Sequence, residues 1–141
     1  MISKLFKESK INIWCFGILF IHNWNFCSQR TLLAQHAYFS VSATLFTVLS
    51  IALILFALYT YVTKTNIETV GLFSGAMLTM SILGSILLTF DFGLDNLPIQ
   101  LRAGSIMVGV GNAWLYLIWF NYLYKYHVKD CMLIIFISMG V

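Results

Sequence analysis

Long apolar runs broken by short polar islands set the pattern of this chain. Three runs reach the roughly 20 residues that an α-helix needs to cross a bilayer. They are residues 38 to 62 (YFSVSATLFTVLSIALILFALYTYV), 70 to 90 (VGLFSGAMLTMSILGSILLTF) and 103 to 124 (AGSIMVGVGNAWLYLIWFNYLY). None holds a charged residue, so each can span without burying a formal charge. A fourth, shorter run extends from residue 11 to about residue 27 and ends among His22, Asn23 and Asn25. Its opening, MISKLFKESK followed by INIWCFGILFI, also has the basic and apolar regions of a signal peptide. No small-x-small cleavage site follows, and the run is read as a first transmembrane helix.

The pattern therefore predicts an all-α integral membrane protein, a four-transmembrane-helix bundle in which residues 1–141 form a single membrane domain. The apolar tail CMLIIFISMGV, residues 131 to 141, is too short to span. An interfacial position, packing on a partner and membership of a longer segment all stay open for it.

Composition agrees with this picture: 60% of the 141 residues are hydrophobic and 9% charged, with a mean hydropathy of +0.89. A soluble domain carries about a quarter charged residues, so that class is excluded. The distribution of basic residues then orients the bundle, because positive loops stay on the cytoplasmic side. With both termini cytoplasmic, Lys4, Lys7, Lys10, Lys64, Lys125 and Lys129 lie inside, and only Arg30 and Arg102 lie outside. The net charge of +3 is thus accounted for by topology, and nucleic acid is not an expected partner. The plasma membrane is the expected location.

Small residues carry the packing expectation, because close approach of helices in lipid depends on them. Gly71, Gly75 and Gly84 in the third span, with Gly104, Gly109 and Gly111 in the fourth, are predicted to pack these two helices together. The second span, rich in Leu, Ile, Val and Phe, is predicted to face more lipid. Asp91, Asp95 and the sole proline lie in DFGLDNLPIQLR, which reads as a shaped outer turn. The outer contact surface is predicted from Trp24, Cys27, Arg30, Asp91, Asp95 and Arg102, with Trp24 anchoring at the interface where the first helix leaves the membrane.

Candidate chemistry is sparse. Cys15, Cys27 and Cys131 form no CxxC pair. His22, Cys27 and His36 have no recognised ligand spacing and would need Asp91 or Asp95 to complete a zinc site, so no metal is assigned. His127, among lysines, reads as a solvated interfacial residue. Asn112 and Asn121 are more readily interhelical hydrogen-bonding groups than the lining of a polar pocket. GxSxG, HExxH, P-loop and Rossmann fingerprints are absent. The expectation is a protein without enzymatic activity and without cofactors.

The arrangement from Trp24 to about Tyr124 resembles the claudin, peripheral myelin protein and epithelial membrane protein superfamily. WNFC, Trp24 to Cys27, looks like the end of the family's first-loop signature, and TLLAQHAYFSVSATLFTVLSIALILF looks like its entry into a second helix. GLFSGAMLTMSILGSILLTF looks like its third helix, and AGSIMVGVGNAWLYLIWF matches the fourth in pattern. Family members carry a long first outer loop that folds as a small sheet with a disulfide; here about a dozen residues separate the first two helices, and Cys27 is the only cysteine offered there. The resemblance implies a cell-junction type of scaffold, with the recognition loop largely missing.

The function expected is that of a scaffold or auxiliary protein acting through lateral helix association and short outer loops. Its partners are the lipid bilayer and other membrane proteins, a second copy of the chain among them. A small subunit of a transporter, channel or respiratory-type complex is the alternative. A third reading, a membrane enzyme using His22, His36, Asp91 and Asp95, has only topology-compatible carboxylates behind it.

Overall fold

The computed structural model describes residues 17–35, 37–64, 71–92 and 96–124. Among them five helices follow one another: α1 (Gly17–Gln29), α2 (Leu32–Gln35), α3 (Tyr38–Thr63), α4 (Gly71–Thr89) and α5 (Leu97–Leu123). No strand occurs among the described residues. Three of the helices, α3, α4 and α5, are long and apolar enough to cross a membrane. Residues 11 to 16 of the expected first span, Asp95, His36, Cys15, Cys131, His127 and the tail from residue 131 to 141 lie outside the described residues.

The helix α5 is the centre of the bundle, packed against both α3 and α4. It begins six positions before the apolar run read from sequence. Asn96 precedes the first turn and Pro98 lies within it, where a missing N–H costs nothing because that donor has no intrahelical acceptor. The proline that marked an outer turn in the sequence therefore opens a helix, and Arg102 stands on that helix rather than in a loop. At the other end of the loop-facing side, α1 continues through Trp24 and Cys27 to Gln29 before a short turn leads into α2.

Glycines set how closely α4 approaches α5. A Cβ on Gly84 would stand 2.8 Å from the Gly104 carbonyl oxygen, and one on Gly104 would stand 3.0 Å from the Gly84 carbonyl oxygen. The two helices thus touch backbone to backbone, the contact that lipid-embedded helices achieve only through small residues. Gly111 repeats this one level further in, against Met77 and Ser81, while Gly109 faces the α3 backbone at Leu45.

Gly71 and Gly75 behave differently: nothing among the described residues lies within 4 Å of a Cβ at either. Nine positions separate Gly75 from Gly84, and at 3.6 residues per turn that is about half a turn around the helix. The one helix therefore presents glycine on two opposite faces, and only one of them meets α5.

Apolar packing fills the levels around these crossings. Toward the end of the bundle where α4 gives way to α5, Ala34, Val41, Leu45, Leu88, Leu101 and Val108 form one cluster spanning α2 to α5. Toward the opposite end, the buried Trp114 ring meets Phe73 and Phe56 edge-on at centroid separations of 4.7 and 5.4 Å. Its indole N–H donates to Ser74 Oγ at 2.9 Å, so the polar end of a large ring is paired as burial demands. The remaining surface of α3 exposes Phe46, Ile54, Leu55 and Leu58, a composition suited to lipid.

Candidate functional site

The helix α1 carries an unusual density of polar side chains, and the structure explains it. Gly17, Ile21, Trp24, Asn25 and Ser28 recur at helical spacing and share one face. That face lies on α4 and α5. A side chain on Gly17 would collide with the Trp119 ring, so the inner end of α1 rests directly on α5.

The polar members of the face enter a directional chain of hydrogen bonds across three helices. Ser81 Oγ donates to Asn112 Oδ1, Asn112 Nδ2 donates to Asn25 Oδ1, and Asn25 Nδ2 donates to the Tyr116 hydroxyl at 3.3 Å. Asn25, Ser81 and Asn112 are all buried. Asn112 uses its oxygen on α4 and its nitrogen on α1, while Asn25 uses both on α5, and this fixes the register of α1 against the other two.

A second cluster lies one turn outward. Trp24 Nε1 donates to Ser85 Oγ at 2.6 Å, and Ser85 Oγ donates to the Ser81 carbonyl at 2.9 Å. Ser28 Oγ lies 3.2 Å from Ser85 Oγ. Since the Ser85 proton is committed to the carbonyl, Ser28 is the donor in that pair.

The C-terminal end of α4 is closed by side chains from elsewhere. Helix C-termini leave carbonyls without intrahelical partners. Here Gln100 Nε2 donates to Leu87 O at 2.8 Å and Phe90 O at 2.6 Å, while Thr31 Oγ1 donates to Leu88 O at 2.6 Å. Ser42 Oγ donates to Gln29 Oε1 at 2.9 Å and ties α3 to α1 at the same level. Gln100 Oε1 is buried and has no partner among the described residues.

The residues singled out as an outer contact surface separate in the structure. Cys27, Arg30, Asp91 and Arg102 are exposed, and the Arg30 guanidinium lies 4.7 Å over the Phe26 ring. Trp24 does not belong with them: its indole turns inward to Ser85, because a hydroxyl on a neighbouring helix meets the N–H within the bundle. His22 is exposed on a different side of α1 from the buried seam. Among the described residues no three of His, Cys, Asp and Glu come together.

What the arrangement does chemically is to pair neutral amides and hydroxyls between helices. Asn112 showed in the sequence as a hydrogen-bonding group, whereas Asn25, Ser28, Ser81, Ser85, Gln29 and Gln100 did not. Their signal is the helical spacing of Asn25 with Ser28 and of Ser81 with Ser85, within runs that otherwise read as a membrane exit and a small-residue face. Comparison with protein-family models, curated proteins and solved structures finds no match to this chain.

Proposed function

We propose that this chain is a non-catalytic membrane scaffold or auxiliary protein that works by lateral helix association. One observation carries the reading: Gly71 and Gly75 meet nothing among the described residues where a Cβ would stand, on the face of α4 opposite its contact with α5. The bundle uses Gly84, Gly104, Gly109 and Gly111 for itself and leaves this pair for another helix, which small residues admit to close range. The interior polar groups are meanwhile spent on holding α1 in place.

In this reading the protein has four spans with both termini in the cytoplasm, as the lysine distribution favours, and it resides in the plasma membrane. The claudin-like resemblance supports a scaffold role, but the contact surface is a helix face, since Trp24 to Gln29 and Leu32 to Gln35 are helical. Replacing Gly71 and Gly75 together with leucine tests it. Loss of co-purifying membrane proteins from native membranes is expected, and an unchanged complex overturns the reading. A stoichiometric partner with transport or redox activity would instead favour a subunit of a larger complex, the alternative to which the broad apolar surfaces of α3 and α4 also lend themselves.

A further inference from the structure

We draw no further inference here: the strongest candidate, the groove of about 450 Å³ between α1 and the C-terminal end of α4, lined by Phe20, Trp24, Cys27, Ser28, Thr31 and Thr89 among others, is a largely apolar face, and nothing in the structure shows what covers it.

Discussion

Asn112 on α5 donates to Asn25 on α1 across 87 positions of sequence, and both side chains are buried. Replacing Asn25 with leucine leaves the Asn112 amide without its acceptor. Such a loss costs about 1–3 kcal/mol when a buried donor is stranded. Replacing both residues with leucine should cost less than the sum of the single changes, with a coupling on the order of 1 kcal/mol. Equilibrium unfolding in mixed micelles measures all four proteins of the cycle, and strict additivity would show that the two amides act independently.

The two faces of α4 give opposite expectations for the same substitution. Gly84→Leu drives a side chain into the Gly104 carbonyl and should destabilise the bundle by about 1–3 kcal/mol through overpacking. Gly75→Leu meets nothing among the described residues and should leave the unfolding temperature unchanged while weakening association. Thermal unfolding in detergent separates the two.

Gln100 serves the end of a helix to which it does not belong. Gln100→Leu removes the donor for the Leu87 and Phe90 carbonyls, and amide hydrogen exchange in the last turn of α4 should rise. The expected loss of stability is about 1–3 kcal/mol. Exchange that stays as slow as in the parent would show that these carbonyls find other donors at no cost.

Trp114 fixes the inner end of the bundle by packing against Phe56 and Phe73. Trp114→Ala should cost about 3–5 kcal/mol, the range for deleting a large buried ring. Trp114→Phe keeps an aromatic ring and loses only the donor to Ser74 Oγ, and should cost less. Steric-trapping or denaturant titration of the two variants checks the order.

The long apolar runs made α3 and α4 legible in the sequence to within a residue or two, because a membrane span announces itself by length and lack of charge. The start of α5 was hidden by Pro98, which signals a turn or a first helical turn equally well until its neighbours are known. Trp24, Asn25 and Ser28 looked like a membrane exit because their partners, Ser85, Asn112 and Tyr116, lie 57 to 91 positions away. The division of the glycines between two faces was present in the nine-residue interval from Gly75 to Gly84, but which face meets α5 is a tertiary fact.

The side chains that close α4 come from both directions along the chain: Thr31 is synthesised before it and Gln100 after it. The Leu87 and Phe90 carbonyls at the C-terminal end of α4 consequently lack their Gln100 donor until the first turns of α5 have been made. Synthesis order and completion order therefore part company at this point, and α4 is a helix that is finished by its successor.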